Sequence, residues 1–166
     1  MRPIDIKNYP IPVGGKFGDP RDGGIRKHVG TDYLTPRGTK TRASKDGRVS
    51  LRNFNDQRGI YLKFHNEDGT QSLQQHLNKV LVEVGQKVKQ GQIVAETGDT
   101  GVGGAHLHVE EFNKSGKNID PEKVYTASMY KGKLAKYWYE RAQHYRQRTL
   151  LFKGIVTKIK KLVGKA

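Results

Sequence analysis

A stretch of alternating polarity in the middle of the chain most strongly constrains the fold. Ile60, Leu62 and Phe64 occupy every second position, which places them on one face of a β-strand. The turn-forming sequence Asn-Glu-Asp-Gly follows at residues 66–69, and extended structure resumes over residues 70–77. This pattern predicts a β-hairpin with one buried face, around which the rest of a sheet can assemble.

The second strand of this hairpin also alternates between polar and apolar residues. Under strict alternation, Gln74 and His76 face one side of the sheet. Leu73 and Leu77 face the other side, where we expect the core. His65 lies just before the turn, and we interpret it as a solvated hairpin residue. The hairpin therefore offers one histidine, His76, to whatever lies on its polar face.

Composition supports a mainly β domain. Of the 166 residues, 20 are glycine and 34% are apolar, which is typical of a β domain rich in loops. Short apolar runs separated by glycines continue through residues 80–95, and the length suits one domain with a real core. Cysteine is absent. The chain therefore has no disulfides, and any bound metal must be held by His, Asp or Glu.

Two histidines separated by a single residue, His106 and His108, are the most informative chemical feature. On a strand they share one face with Cα atoms about 6.6 Å apart, while Leu107 and Val109 point to the other face. This spacing lets one imidazole bind a metal ion while the other stands beside the metal-bound water. The pair thus predicts half of a catalytic metal site.

A second pair, His28 and Asp32, encloses Gly30 near the start of the chain. A straight strand would hold the two side chains about 13 Å apart, which is too far for one ion. A bend at Gly30 would bring them together. By itself, a pair of this kind is more often a surface hydrogen bond than a metal site.

A glycine-rich loop at residues 97–104 leads into the two histidines. It does not match a phosphate-binding P-loop, because no Lys followed by Ser or Thr comes after it. Its glycines, among them Gly101 and Gly103, would let the backbone approach a ligand closely. We therefore expect this loop to form part of a binding site.

Taken together, these segments resemble the lysostaphin-type zinc endopeptidases, which cut peptide bridges in bacterial peptidoglycan. The resemblance covers residues 17–121 and implies an antiparallel sheet of the duplicated-hybrid-motif kind with a zinc site in its groove. The segments that carry it are Phe17–Arg21, His28–Asp32, Gly38–Thr39, Ala43, Asp46–Val49, His76–Leu77, Val84–Val88, Gly91–Gln92 and His106–Glu110.

The resemblance implies that His28, Asp32 and His108 hold one zinc ion per chain. Three protein ligands leave a fourth position open, as catalytic zinc sites require, and zinc activates water near neutral pH. His106 would then act as general base or orient the water. His76 would hydrogen-bond the oxyanion or assist the base. The sequence does not divide these roles between the two histidines.

Two positions depart from the family pattern. Gln74 stands where the family usually has tyrosine, two residues before His76, and Val109 replaces the usual phenylalanine. Val109 should face the core, so that change is mild. We expect Gln74 to contact the substrate, because alternation places it on the face of His76, and Gly101 and Gly103 to line the substrate groove. Retention of all the implied metal and catalytic residues favours an active enzyme.

The end of the chain has a different character. Residues 1–130 hold 20 basic and 15 acidic residues, whereas residues 131–166 hold 11 and 1, so this segment carries +10 of the total charge of +15. Apolar residues at intervals of three and four over residues 151–163 predict a cationic amphipathic helix. We therefore divide the chain into a zinc endopeptidase domain, residues 1–125, and a basic helical tail, residues 126–166. The tail lysines expected to contact an anionic surface are Lys153, Lys158, Lys160 and Lys161.

Three interpretations of the tail remain open. It packs on the catalytic domain or on a partner chain; or it binds anionic lipid, lipopolysaccharide or teichoic acid; or it binds nucleic acid. Nucleic acid is the least favoured partner, because no nucleic-acid-binding fold motif is present.

The predicted function is zinc-dependent hydrolysis of peptide bonds in peptidoglycan cross-links, at the bacterial cell wall or in the periplasm. No apolar window is long enough to cross a membrane, and the first residues lack the apolar run of a secretory signal. Together with the basic tail, this favours a phage lysin or a virion-associated hydrolase, held in the host cytoplasm before release or bound to virion tail proteins. A secreted bacterial hydrolase that has lost its signal is one alternative. The alternative from another class is a non-catalytic wall-binding or virion-structural protein that keeps the peptidase scaffold.

Overall fold

The structure is a computed structural model that describes residues 1–5, 7–12 and 14–127. Within this part, Met1–Thr126 form one compact unit. No helix among the described residues is long and apolar enough to cross a bilayer. The predicted amphipathic tail, with its four lysines between residues 153 and 161, lies outside the described residues.

Short strands dominate the described chain. A 3-10 turn at Asp22–Gly24 joins β1 to β2, and a helix begins at Pro121. The strands in chain order are β1 (Pro20–Arg21), β2 (Arg26–Lys27), β3 (Thr31–Tyr33), β4 (Lys40–Arg42), β5 (Gly47–Asn55), β6 (Gly59–Asn66), β7 (Gln71–Val80), β8 (Lys87–Val88), β9 (Ile93–Thr97), β10 (Leu107–Phe112) and β11 (Asn118–Ile119).

Nine of these strands form one antiparallel sheet. Its main path runs β11–β10–β7–β6–β5–β8, while β3 pairs with β10 and β9 pairs with both β7 and β4. β1 and β2 form a separate two-stranded sheet. The prediction of a mainly β, antiparallel fold is confirmed. Because β10 has β7 on one side and β3 on the other, it brings residues from distant parts of the sequence together.

The predicted hairpin consists of β6 and β7. Leu62 and Phe64 of β6 are 0% and 2% exposed, as their alternation indicated. At the turn, Gly69 donates its backbone N–H to Asn66 O at 3.0 Å and adopts a φ of 81°, which favours glycine. The prediction of this hairpin is confirmed. The hairpin forms the centre of the sheet, and its second strand, β7, pairs with β10.

The hydrophobic core lies against one face of β10, where Leu107 and Val109 are almost completely buried. The prediction that Val109 faces the core is confirmed. Burying side chains of this size contributes about 1.5–3 kcal/mol each. The other members of the core cluster are Ile4, Tyr33, Ala43, Val49, Leu62, Phe64, Leu77, Val80, Val82, Val88, Val94, Ala95 and Tyr125.

A buried carboxylate, Glu111, lies on this core side of β10. It is 0% exposed and accepts hydrogen bonds from three hydroxyls: Ser44 at 3.0 Å, Ser72 at 2.9 Å and Tyr125 at 2.9 Å. Burial raises the pKa of Glu111, and these hydrogen bonds only partly oppose that effect. Because the four residues come from separate segments, the network ties β7 and the C-terminal helix to β10.

Candidate metal centre

The pairing of β3 with β10 assembles the centre. In this antiparallel register Asp32 lies directly opposite His108, and His108 Nδ1 is 2.7 Å from Asp32 Oδ1. His28 comes from the residues before β3, and its Nε2 lies 3.1 Å from His108 Nδ1 and 3.3 Å from Asp32 Oδ1. The three side chains implied as ligands thus meet at one point.

The bend predicted at Gly30 is present, and it explains how His28 and Asp32 come together. The glycine is also needed for space. A Cβ on Gly30 would lie 2.4 Å from Val109 O and 2.6 Å from the His108 ring. Any side chain at this position would therefore push the first segment away from β10.

The donor set fits a zinc ion. The ligand atoms of His28, Asp32 and His108 all lie within 4.8 Å of one another. A tetrahedral zinc ion with bonds of about 2.1 Å separates its ligand atoms by roughly 3.4 Å, close to the distances of 2.7–3.3 Å between these atoms. Two imidazole nitrogens and one carboxylate oxygen leave a fourth tetrahedral position open. Such a donor set is compatible with a catalytic zinc site, which keeps one position open, more than with a closed structural one.

Hydrogen bonds fix which nitrogen each ligand histidine offers. His28 Nδ1 lies 3.0 Å from Lys16 O, and because a carbonyl only accepts, Nδ1 carries the proton and Nε2 is left for the metal. His108 Nε2 lies 3.5 Å from Glu110 Oε1, whereas Nδ1 faces Asp32 Oδ1 and His28 Nε2, so Nδ1 is the nitrogen on the side of the candidate centre. The two histidines therefore present different nitrogens to the same point.

Glu110 orients His108, and its partners orient Glu110 in turn. Gln75 Nε2 donates to Glu110 Oε1 at 2.5 Å, and Asn118 Nδ2 donates to Oε2 at 2.6 Å. Burial alone would raise the pKa of Glu110, but the hydrogen bonds from His108 and Asn118 hold it below its usual range. Glu110 is not among the site residues predicted from the sequence. The available signal was its position two residues after His108, which places it on the same strand face.

The electrostatics of the centre favour a bound cation. Burial would raise the pKa of Asp32, but hydrogen bonds with His108 and His28 hold it far below its usual range. Burial would lower the pKa of His108, whereas the Asp32 and Glu110 carboxylates raise it. Arg21 forms an ion pair with the second oxygen of Asp32 at 2.7 Å. The carboxylates thus stabilise positive charge at His108, whether a proton or a metal ion supplies it.

The two histidines predicted to be catalytic stand beside the ligands. Their ring centroids are 4.6 Å apart, and His106 Nε2 lies 3.8 Å from Asp32 Oδ1. His76 Nδ1 donates to Thr100 O at 3.0 Å and His106 Nδ1 donates to Gly104 O at 2.9 Å, so both rings keep Nε2 as an acceptor. Burial lowers the pKa of His76 to about 4. His76 is therefore neutral at neutral pH.

Strict alternation along β7 ends at His76. This residue has a φ of 60°, a left-handed conformation that is unusual for a residue other than glycine. In the register with β10, Gln75 lies opposite His108 and Gln74 lies opposite Val109. Gln75 therefore faces the candidate metal centre. The positive φ of His76 turns the His76 side chain to this same side of the sheet.

The expectation that Gln74 contacts the substrate is wrong for this reason. Gln74 is 1% exposed and lies on the core side of β7. Its Nε2 donates to Arg42 O at 2.8 Å, and its Oε1 accepts from Thr41 Oγ1 at 3.0 Å. Gln75 takes the place on the groove side that alternation assigned to Gln74.

The glycine-rich loop approaches the protein's own backbone. Gly101 has a φ of 76°, and a Cβ there would lie 2.5 Å from Gly59 N. A Cβ on Gly59 would in turn lie 2.1 Å from Thr100 O. Gly101 lines the groove, whereas Gly103 is exposed and is not among the lining residues, and contact of either glycine with substrate stays a prediction. The two closely packed glycines hold the loop against the β5–β6 turn, and this contact places Thr100 O against His76.

One groove of about 520 Å³ is lined by His28, Asp32 and His108 together with His76 and His106. Gln75 and Glu110 contribute to its floor, and three arginines line it. These arginines are Arg21, Arg26 and Arg58.

The sequence pattern described as Peptidase family M23 matches residues 26–121 of the chain. The chain belongs to peptidase family M23. Peptidoglycan DD-endopeptidase ShyC from Vibrio cholerae serotype O1 is 37% identical to this M23 chain over 125 residues, which cover 74% of the chain and 28% of ShyC. The chain therefore spans little more than a quarter of the length of this relative.

Solved structures support the assignment to family M23. A zinc-containing peptidase from Vibrio cholerae matches with a TM-score of 0.65 and 33% identity, over 72% of this chain and 37% of the other. The catalytic domain of lysostaphin from Staphylococcus simulans matches with a TM-score of 0.64 and 27% identity, over 73% of this chain and 95% of that domain. The resemblance to lysostaphin-type peptidases is thus confirmed.

Proposed function

We propose that this M23 domain is a zinc-dependent endopeptidase that hydrolyses peptide bonds in peptidoglycan cross-links. The observation that carries the proposal is the convergence of His28, Asp32 and His108 on one point, with His76 and His106 beside it in an open groove. The names of the relatives point to the same substrate, since ShyC is a peptidoglycan DD-endopeptidase.

His28, Asp32 and His108 would hold the zinc ion, which when bound supplies a Lewis acid beside the scissile carbonyl and makes water more acidic. The groove carries the substrate past these residues. The carboxylate of Glu110 keeps the His108 ring in one orientation throughout. This arrangement gives the domain a fixed centre, beside which His106 and His76 act on the attacking water.

His106 is the proposed general base. Its Nε2 is an available acceptor, because its Nδ1–H is donated to Gly104 O, and it takes a proton from the attacking water. His106 then returns this proton to the leaving amine nitrogen. His76 is neutral and accepts a hydrogen bond through Nε2, so it orients the water. In this tautomer His76 has no Nε2–H to donate to an oxyanion.

The test measures zinc and products in parallel on the purified full chain. We expect about one zinc ion per chain by elemental analysis, release of peptide fragments from peptidoglycan sacculi by mass spectrometry, and loss of both on treatment with a chelator. Added zinc should then restore both the zinc content and the release of peptide fragments. A protein without bound zinc that releases no fragments would instead be a wall-binding or virion-structural protein on a peptidase scaffold.

The proposals for the tail rest on the pattern and charge of its sequence. The division at residue 125 follows the change to apolar residues at helical spacing, and binding of residues 126–166 to anionic lipid, lipopolysaccharide or teichoic acid follows from the +10 charge of the last 36 residues. The basic tail is also one of the grounds for a phage or virion-associated origin. Truncation after Thr126 separates binding to the envelope from packing on the domain. Activity on soluble muropeptides should persist while lysis of whole cells weakens, and equal loss on both substrates would favour packing.

A further inference from the structure

The arginines of the groove differ in how they are neutralised. Arg21 forms an ion pair with Asp32 at 2.7 Å, and Arg26 forms one with Asp22. Arg58 forms no ion pair within 4.0 Å with a carboxylate of the residues that the structure describes, although its charge contributes to the lowered pKa of Glu110. The groove therefore has one arginine whose charge is not already matched by an ion pair.

The backbone of Arg58 is fixed next to a histidine of the site. Its carbonyl oxygen accepts the backbone N–H of His76 at 3.0 Å, and its own N–H donates to Asn55 Oδ1 at 2.8 Å. The next residue, Gly59, packs against Thr100 too closely to admit a Cβ. Arg58 is thus held by the same contacts that give His76 its left-handed conformation.

The side chain of Arg58 is prepared to bind an anion. Its guanidinium carbon lies 5.6 Å from the centroid of the Tyr61 ring, and the residue is half-buried. An aromatic contact of this kind restricts the guanidinium and reduces its hydration before any ligand arrives. A planar guanidinium with parallel N–H groups matches a carboxylate through two hydrogen bonds.

We propose that Arg58 binds a carboxylate of the peptide substrate close to the scissile bond. The domain would then select cross-links in which the carbon next to the scissile nitrogen carries a carboxylate, as in a D-alanyl–diaminopimelate link, over uncharged glycine bridges. This inference rests on the proposed function and deepens it. A neutral bridge offers no carboxylate to the half-buried Arg58 guanidinium, so it lacks the paired hydrogen bonds that a carboxylate bridge gains.

The test uses the full, zinc-loaded chain and two synthetic cross-linked peptides. One carries a free carboxylate on the diaminopimelate carbon next to the scissile nitrogen, and the other carries a carboxamide of the same shape. We expect Arg58→Gln to lower kcat/KM on the carboxylate peptide by about 10- to 100-fold and to leave the carboxamide peptide nearly unchanged. Arg58→Lys should recover part of the loss. The matched control is Arg52→Gln, an exposed arginine on β5 outside the groove, which should leave both rates unchanged.

A second measurement separates this inference from the proposed function. Binding of both intact peptides is measured by calorimetry with the chelator-treated chain, in which no hydrolysis occurs. Preference for the carboxylate peptide that disappears in Arg58→Gln supports the inference, even if the loaded chain cuts neither peptide and the proposed function fails. Two results would overturn the role of Arg58 and leave the proposed function standing. In the first, the chain cleaves both peptides and Arg58→Gln lowers kcat/KM equally on both. In the second, the wild-type chain binds both peptides equally well.

Discussion

The two glutamates at the centre of β10 are neighbours in sequence and opposites in environment. Glu110 faces the groove, where an imidazole and two side-chain amides surround it, and its pKa lies below the usual range. Glu111 faces the core, where three hydroxyls surround it, and its pKa is raised. Both are buried, so burial alone does not determine the charge. Two buried carboxyls one residue apart thus have pKa values shifted in opposite directions, because their partners differ.

The largest effect should come from removing the cation site on the groove face. We expect His108→Ala to abolish zinc binding and activity together, because it deletes one of three ligands. His106→Ala should keep about one zinc ion per chain and lose activity by about 10²- to 10⁴-fold, which is the contribution of a general base. Elemental analysis and fragment release from sacculi measure the two properties separately. Loss of zinc in both variants would contradict the division of roles between these histidines.

On the core face, the largest expected effect is on folding. Glu111→Ala leaves three buried hydroxyls without their acceptor and opens a cavity, so we expect the free energy of unfolding to fall by about 2–4 kcal/mol. Urea denaturation measures this loss. Zinc content of the folded fraction should stay at the wild-type level. A variant with unchanged stability would show that the hydroxyl network does not contribute to the fold.

A smaller effect is expected from Glu110→Gln on the groove face. The substitution keeps the shape but removes the negative charge beside His108 Nε2, and changes of this kind weaken metal affinity by about 10- to 100-fold. Competition with a chromophoric chelator measures the affinity. Gln75→Ala offers a graded comparison, since it removes only one of the hydrogen bonds that hold Glu110. If zinc affinity did not change in Glu110→Gln, the proposed orienting role of Glu110 would be wrong.

Much of the site could be predicted from local patterns in the sequence. Alternation placed His106 and His108 together, and the resemblance to a known family joined them to His28 and Asp32. Glu110 could have been found by the same alternation, since it lies two residues beyond His108. Contacts between site residues and backbone carbonyls could not be predicted in this way. Lys16 O, which fixes the tautomer of His28, comes from a segment whose distance from the ring depends on the whole fold.

The error at Gln74 has a specific cause. Period-two alternation assumes extended dihedral angles at every residue, and His76 departs from them with a positive φ. Histidine is enriched among the few non-glycine residues with positive φ, but that enrichment does not identify which histidine of a strand departs from extended dihedral angles. The conformation is held by long-range contacts, namely the His76 N–H to Arg58 O and the ring to Thr100 O. Residues around functional sites are where such strain is expected.

The smallest expected change comes from Glu111→Gln, and its dependence on pH gives the sharpest test of the contrast between the two glutamates. The folded-state pKa of Glu111 is raised, so folding favours its protonated form. Near pH 4, below its unfolded pKa of about 4.3, wild type and variant should agree in stability within about 1 kcal/mol. As pH rises from there toward the folded pKa, Glu111 ionises first in the unfolded wild-type chain, so the wild type loses stability, whereas glutamine does not titrate.

The variant should therefore gain stability relative to the wild type between pH 4 and neutral pH, as measured by urea denaturation at a series of pH values. A difference that is constant across this range, or that favours the wild type at high pH, would mean that Glu111 is ionised in the folded protein, and the two faces of β10 would then hold carboxylates of the same kind.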